Sequence, residues 1–153
     1  METISLNAIR FAAMNLLALR EYSALELQQK LLKKFAHTDL VSQAITRLTH
    51  EGLQSDVRFA EAFIAMRKRQ GKGPQLIAME LKERGVLSEH INALLQYHED
   101  TWLQLARSVR VKKFGAGIPV DAKEKAKQIR FLYARGFNSD AIQHALKTST
   151  VLI

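Results

Sequence analysis

The stretch RGVLSEHI at residues 84–91 returns 51 positions later as RGFNSDAI at residues 135–142. In each copy a glycine permits the positive backbone φ angle that commonly ends a helix, and three positions later a serine favours the start of the next one. Leucines flank both copies at matching positions: Leu81 and Leu132, Leu95 and Leu146. The repeated stretch therefore predicts a helix–turn–helix unit that the chain uses twice.

A weaker third copy lies upstream, at an offset of 50 residues. Its apolar positions match those of the second copy: Leu27, Leu31, Val41 and Ile45 correspond to Ile77, Leu81, Ile91 and Leu95. A repeat of about 50 residues has room for three helices, which predicts three tandem three-helix repeats at residues 5–51, 52–99 and 100–148. Because such repeats pack mainly against their neighbours, we expect an elongated, curved array.

Helical spacing of apolar residues occurs almost throughout the chain, and no run alternates apolar and polar residues as a strand would. The sequence therefore predicts an all-α protein. Two of the predicted core-facing stripes are Val41, Ala44, Ile45 and Leu48, and Ala122, Ala126, Ile129 and Tyr133. Trp102, Phe114 and Phe131 also occur at helical spacing, and we expect them in the core.

The composition excludes several classes of chemistry. The chain has no cysteine, which rules out disulfides, a thiol nucleophile and cysteine-ligated metals. Its histidines are scattered, so neither a metal nor another cofactor is expected: they are His37, His50, His90, His98 and His144. The longest apolar stretch, residues 11–19, is too short to span a membrane, and the first residues lack the basic segment of a signal peptide. These features predict a cytoplasmic protein that is not an enzyme.

Positive charge dominates the sequence and is unevenly placed. The chain contains 23 Lys and Arg against 15 Asp and Glu, for a net charge of +8. Residues 100–153 hold 10 of the basic and only 4 of the acidic residues. Clustered positive charge attracts polyanionic or acidic partners, although a merely solvated basic face has the same composition.

Basic residues cluster at the end of one predicted helix and along one face of another. Residues 67–69, followed by Lys72, place four positive charges at a predicted helix end, more than the helix dipole alone would favour. Lys123, Lys127 and Arg130 recur at spacing i, i+4, i+7 on one predicted helix face. Such a stripe is consistent with contacts to a phosphate backbone or to an acidic groove of a protein.

Three segments resemble signatures of the RecX family of bacterial regulators of the RecA recombinase. The first runs from Leu19 to Leu27 and continues to Lys30-Leu31. The most specific segment is the central one: Gly52-Leu53, Asp56-Val57-Arg58-Phe59-Ala60, Arg67, Gly73-Pro74, Ile77 and Glu80-Leu81. The third is Phe131-Leu132 with Arg135-Gly136-Phe137. Gln54-Ser55 departs from the family, which often has a more acidic pair there.

The resemblance implies a fold of tandem three-helix repeats and a non-enzymatic activity. Members of the family bind the RecA–DNA filament and restrain recombination, ATP hydrolysis and RecA-assisted cleavage of the SOS repressor. We therefore expect a monomer that binds this filament, with at most weak direct contact to single- or double-stranded DNA. The alternative is a helix–turn–helix module that binds DNA independently of RecA.

The basic clusters supply the residues predicted to contact the filament or its DNA. They are Arg67, Lys68, Arg69, Lys72, Arg107, Arg110, Lys112, Lys113, Lys123, Lys127, Arg130 and Arg135. For Asp56 and Arg58 of the central signature, two roles are open. They either stabilise a helix start through an acid and a local ion pair, or they contact the partner.

Overall fold

The computed structural model describes residues 5–97 and 99–147, which form nine α-helices and no strand. The helices are α1 (Leu6–Leu19), α2 (Ala24–Phe35), α3 (Thr38–His50), α4 (Asp56–Arg69), α5 (Pro74–Glu83), α6 (Ser88–Leu95), α7 (Asp100–Phe114), α8 (Ala122–Ala134) and α9 (Ser139–Lys147). The predicted all-α class is confirmed.

Both copies of the repeated stretch form the same turn between helices. Gly85 and Gly136 have φ angles of +83° and +99°. The residue after each glycine donates its amide to a leucine carbonyl five positions earlier, at 3.1 and 3.2 Å. The following helices begin at the predicted serines, Ser88 and Ser139. However, Asn138 provides the cap of α9, because its Oδ1 accepts the amide of Ala141 at 2.9 Å.

The chain divides into two compact units. Of the described residues, unit 1 contains 5–62 and 81–90, and unit 2 contains 63–80, 91–97 and 99–147. The predicted bounds of the three repeats stay a prediction, and the last of them, residue 148, lies outside the described residues.

Unit 1 has its core where α1, α2 and α3 pack against one another. The buried residues of this core are Ile9, Ala13, Tyr22, Leu27, Leu31, Val41, Ala44, Ile45 and Leu48. The stripe predicted for α3 is confirmed. The start of α2 is fixed by a capping box, in which the Ser23 hydroxyl accepts the Glu26 amide and the Glu26 carboxylate accepts the Ser23 amide.

Unit 2 is built around α7, which packs against α8 and α9. The buried residues of this core are Ala106, Leu132, Phe137, Ala141, Ile142, Ala145 and Leu146. The stripe predicted for α8 is wrong at its two ends, since Ala122 is exposed and 69% of Tyr133 is accessible to solvent, whereas Ile129 is partly buried against this core. The buried residues of α8 are instead Gln128 and Leu132.

Two glycines bring the turn between α4 and α5 against the turn between α8 and α9. The Gly73 amide donates to the Arg135 carbonyl at 2.7 Å, and the Gln75 amide donates to the Gly136 carbonyl at 3.0 Å. A Cβ atom on Gly73 would lie 2.5 Å from the carbonyl carbon of Gly136. Only glycine allows this approach, which positions the C-terminal end of α4 in unit 2.

Candidate functional site

A cleft of about 470 Å³ lies in unit 2, at the C-terminal ends of α4, α7 and α8. We call it the basic cleft. Its lining residues are Lys68, Arg69, Gln70, Gly71, Leu105, Ser108, Val109, Lys112, Lys113, Phe131 and Arg135. Five of the twelve predicted contact residues therefore meet here: Lys68, Arg69, Lys112, Lys113 and Arg135.

The charge of the basic cleft is of one sign. Five of its lining side chains are cationic, and none is acidic. All five stand in the last turn or at the C-cap of a helix, where the helix dipole contributes about half a negative charge. Three such helix ends neutralise only part of five positive charges. The cleft therefore carries a net positive potential that favours an anionic ligand.

Lys68 is held by an aromatic side chain beneath it. Its Nζ lies 4.5 Å from the centre of the Trp102 ring, at a distance typical of a cation–π interaction. Trp102 is buried, and its Nε1 donates to the carbonyls of Leu95 and Gln96 at 3.1 and 3.2 Å. The core position predicted for Trp102 is confirmed, and it fixes where the Lys68 charge stands.

Phe131 positions two more cations. The Arg135 guanidinium carbon lies 5.2 Å from the ring centre of Phe131, and the Lys113 Nζ lies 5.7 Å from it. Phe114 packs edge-on against the same ring, with centroids 5.2 Å apart. Arg135 also donates from Nη1 to the Gln70 carbonyl at 3.1 Å. Phe131 is half-buried and lines the cleft, so its predicted place in the core is only partly correct.

Arg67, although adjacent to the cleft residues, points its charge elsewhere. Its Nη2 donates to the Glu80 carboxylate at 2.7 Å, and its Nη1 donates to Gln70 Oε1 at the same distance. Both side chains of the ion pair are largely buried, with 21% and 16% exposed. Arg67 thus joins α4 to α5 within unit 2. Lys72 lies in the turn between these helices and does not line the cleft.

Arg107 and Arg110 are buried, with 1% and 0% of their surface exposed, so their prediction as surface contacts is corrected. Arg110 donates from Nε to the Ala145 carbonyl at 2.8 Å and from Nη1 to the Gly117 carbonyl at 3.0 Å. It thereby joins α7 to α9 and to the loop before α8. Burial lowers the pKa of the Arg110 guanidinium, since desolvation disfavours its charged form.

The three cations of the α8 stripe, Lys123, Lys127 and Arg130, are exposed but lie outside the cleft. Lys127 stands 5.9 Å from the ring centre of Phe114. The predicted contact set therefore separates into a cleft group, this exposed α8 group, two structural arginines and the pair of Arg67 and Lys72.

The sequence analysis missed Ser108, whose side chain lines the cleft among the cations. The spacing in the sequence could have indicated it, because Ser108 precedes Lys112 by four positions and therefore shares its face of α7. Arg107 and Lys112 are five positions apart, a spacing that places them on different faces. The cations of α7 therefore lie on different faces of the helix and do not form one cluster.

Asp56, a central-signature residue, has a structural role in unit 1. Its Oδ1 accepts the amide of Ala24, the first residue of α2, at 2.9 Å. The same oxygen accepts a hydrogen bond from Gln54 Nε2 at 2.9 Å, and this nitrogen also donates to the Tyr22 carbonyl at 3.2 Å. Gln54 is buried, so the departure from the family at this position fills a polar junction between α2 and α4.

Arg58 of the same signature is also engaged within unit 1. Its Nε donates to the Glu21 carboxylate at 3.1 Å, and its Nη2 donates to the Gly52 carbonyl at 2.8 Å. Arg58 therefore forms an ion pair within unit 1, but its partner Glu21 is 37 positions away in the sequence and the pair is not the local one that was predicted.

Among the described residues, no group of three or more His, Asp or Glu side chains is arranged to hold a metal ion. His98 lies outside these residues. No helix in the described part of the chain is long and apolar enough to cross a membrane.

The fold and the cleft define a protein of repeated three-helix domains with a strongly basic cleft. A family model for the second three-helix domain of RecX matches residues 55–95, and one for the third matches residues 99–146. Regulatory protein RecX of Halorhodospira halophila (strain DSM 244 / SL1) is 43% identical over 138 residues, covering 90% of this chain and 86% of that protein. Regulatory protein RecX of Pseudomonas tolaasii is 41% identical, covering 93% of this chain and 92% of that protein. The chain belongs to the RecX family.

Solved structures agree on the fold. The crystal structure of RecX from Lactobacillus salivarius aligns with a TM-score of 0.77 at 20% identity, covering 93% of this chain and 94% of that one. A second structure, of a regulatory protein RecX, aligns with a TM-score of 0.82 at 18% identity, covering 93% of this chain and 73% of that one. The predicted fold of three-helix repeats is confirmed.

Proposed function

We propose that this protein binds RecA–DNA filaments and restrains recombination, ATP hydrolysis and RecA-assisted cleavage of the SOS repressor. It acts in the cytoplasm as a monomer and without catalysing a reaction. Membership of a family whose members are named regulatory proteins supports a regulatory role. The observation that carries the binding surface is the basic cleft, with five cations and no acidic side chain in its lining.

The chemistry of the cleft suits this partner. A RecA–DNA filament offers phosphate groups, and its protein surface offers carboxylates. Lysine and arginine bind either group through charge-assisted hydrogen bonds. A protein that lies on the filament would obstruct the second DNA strand and the cleavage substrate, and it would hold neighbouring RecA subunits in one state.

The direct test is ATP hydrolysis by preformed filaments of RecA on single-stranded DNA as this protein is added. Binding to the same DNA without RecA is measured at the same salt concentration. We expect inhibition at protein concentrations that leave bare DNA mostly unbound. The double substitution K112E/K113E should weaken this inhibition on the order of tenfold or more, since it reverses two charges in the cleft.

The same experiment distinguishes the proposed function from the alternative, which is a DNA-binding module that acts without RecA. This alternative requires tight, salt-dependent binding to bare DNA and no effect on ATP hydrolysis beyond competition for DNA. Such a result would contradict the proposed function.

A further inference from the structure

We propose that the basic cleft holds the sugar-phosphate backbone of a single DNA strand, with Ser108 as an additional phosphate contact. The inference rests on the proposed function and names the part of the filament that the cleft would bind. It selects the DNA strand over an acidic segment of the partner protein.

The hydrogen-bonding capacity of the cleft favours a ligand that only accepts. Its polar side chains are five cations, the amide of Gln70 and the hydroxyl of Ser108. Gln70 Oε1 accepts from Arg67, which leaves the amide nitrogen as the donor that Gln70 presents. A DNA backbone carries acceptor oxygens and no N–H or O–H donors. An extended peptide brings one N–H donor per residue, and among these side chains only the Ser108 hydroxyl offers an acceptor for it.

The aromatic lining indicates that the bases are not what the cleft recognises. Phe131 is flanked by Arg135 and Lys113, and Phe114 contacts it edge-on. The ring is therefore occupied by groups of this protein, whereas a base-stacking platform needs an open aromatic face. Phe131 is a positioning residue that holds two cations in place. Contact through phosphates alone predicts binding without preference for base sequence.

The size of the cleft limits the ligand to a short segment. Its volume of about 470 Å³ falls within the range of sites that enclose a small molecule, about 300–1,000 Å³. A segment of one strand fits this description. A duplex could place only one of its two backbones in the cleft, because they are separated by grooves about 6 and 12 Å wide.

The test compares two pairs of lysines at equivalent helical positions. Lys112 and Lys113 stand in the last turn of α7 and line the cleft, whereas Lys33 and Lys34 stand in the last turn of α2 in unit 1. Both pairs are exposed. The variants are K112Q/K113Q and K33Q/K34Q, which remove the same charge. Their binding to a fluorescent 20-nucleotide poly(dT) strand is measured by anisotropy across a series of NaCl concentrations.

We expect the cleft variant to bind on the order of tenfold more weakly, with the control pair changed less than about threefold. The slope of log K against log salt should fall by about 1.4 in the cleft variant, since each single-strand phosphate contact contributes about 0.7. S108A should weaken binding by about threefold without changing the slope, because it removes a neutral hydrogen bond. A mixed-sequence strand of the same length should bind as tightly as poly(dT).

Three results would overturn the inference. Equal losses in the two lysine pairs would mean that net charge alone governs binding. A poly(Glu) peptide that competes for the cleft as well as poly(dT) would assign the cleft to a protein segment. Unchanged DNA binding by K112Q/K113Q, combined with lost inhibition of RecA, would do the same and would leave the proposed function standing. Lost DNA binding with full inhibition would support the DNA site and contradict its use in the proposed function. Circular dichroism melts of every variant check that the fold is intact.

Discussion

The arginines on the surface of unit 1 and the cations of the basic cleft in unit 2 are arranged in opposite ways. In unit 1 several arginines face carboxylates: Arg10 pairs with Glu51, Arg20 and Arg84 with Glu26, and Arg58 with Glu21. In unit 2 five cations line one cleft whose other lining residues are neutral. Both units also contain exposed lysines, so the number of positive charges alone does not separate them.

The difference shows that the local arrangement of charge, and not the total charge, distinguishes a structural surface from a binding surface. A paired arginine on the surface contributes little to stability and has little potential left for a ligand. Several unpaired cations around one cleft repel each other, and a polyanion relieves this repulsion. In unit 2 the negative ends of the helix dipoles and the aromatic rings offset part of this repulsion.

The largest expected effect comes from the close backbone approach in unit 2. G136A places a Cβ atom 2.5 Å from Leu76 Cβ and 2.7 Å from its backbone nitrogen, at a φ of +99°. Positive φ costs a non-glycine residue about 1–2 kcal/mol, and overpacking adds about 1–3 kcal/mol, so we expect a loss of roughly 3–4 kcal/mol. Urea unfolding followed by the fluorescence of Trp102, the one tryptophan, reports on unit 2.

Two glycine variants separate the causes of this loss. G85A in unit 1 has a similar φ of +83°, but the three atoms nearest to its Cβ all belong to the side chain of Leu25, the first at 2.9 Å. Its cost should therefore be smaller. G117A has no atom within 4 Å and serves as the neutral control. If G136A and G117A unfolded at the same urea concentration, the close approach would not stabilise unit 2.

The second effect concerns Arg110, one of the two buried arginines described in unit 2. R110M removes the donors to the Ala145 carbonyl, which is buried, and to the Gly117 carbonyl, which is only partly buried. An unpaired buried acceptor costs about 1–3 kcal/mol, and the Gly117 carbonyl can bond to water instead, so we expect a total loss of about 2–3 kcal/mol in urea unfolding. K112M, two positions away and exposed, should change stability by less than about 0.5 kcal/mol. Equal effects of the two variants would mean that Arg110 is not a structural residue.

Much of the fold is predictable from the repeated stretch, because its glycines, leucines and serines act locally. Gly85 and Gly136 end helices through their own φ preference, and Leu81 and Leu132 are buried as the spacing predicts. Which face of α8 is buried is not predictable in this way. Its buried face includes Gln128, whose Nε2 donates to Glu124 at 3.2 Å beside the buried Arg110. Hydrophobic periodicity cannot reveal a polar residue that is buried because an arginine of another helix lies beside it: Arg110 of α7 donates from Nη1 to Gln128 Oε1 at 3.5 Å.

The candidate site is predictable only in part for the same reason. Runs of basic residues at the ends of α4 and α7 indicate a binding surface, and four of these predicted cations reach one cleft together with Arg135 at the end of α8. The sequence does not show that Arg67 is paired with Glu80, 13 positions away, or that Arg107 is buried. Which cations remain available is decided by tertiary packing.

The third effect tests whether the signature residues of unit 1 are structural. D56A removes the acceptor for the Ala24 amide and for Gln54 Nε2, and we expect a loss of about 1–2 kcal/mol, as for other helix caps. D56N keeps an acceptor oxygen and should lose less than half as much in urea unfolding followed by circular dichroism. DNA binding should stay within about twofold of the unsubstituted protein. A large loss of DNA binding in a fully folded D56N would assign Asp56 to the partner surface.

The smallest effect is the coupling between Arg58 and Glu21, measured by a double-mutant cycle with R58A and E21A. Their side chains are 44% and 34% exposed, so we expect a coupling of about 0.2–1 kcal/mol that decreases in high salt. R58A alone should cost more than the coupling, because Arg58 also donates to the Gly52 carbonyl at 2.8 Å. A coupling above about 2 kcal/mol would show that paired charges stabilise unit 1 strongly. A small coupling with unchanged DNA binding means that pairing removes Arg58 from the binding surface without contributing much to the fold, whereas the five cations of the basic cleft remain available to a ligand.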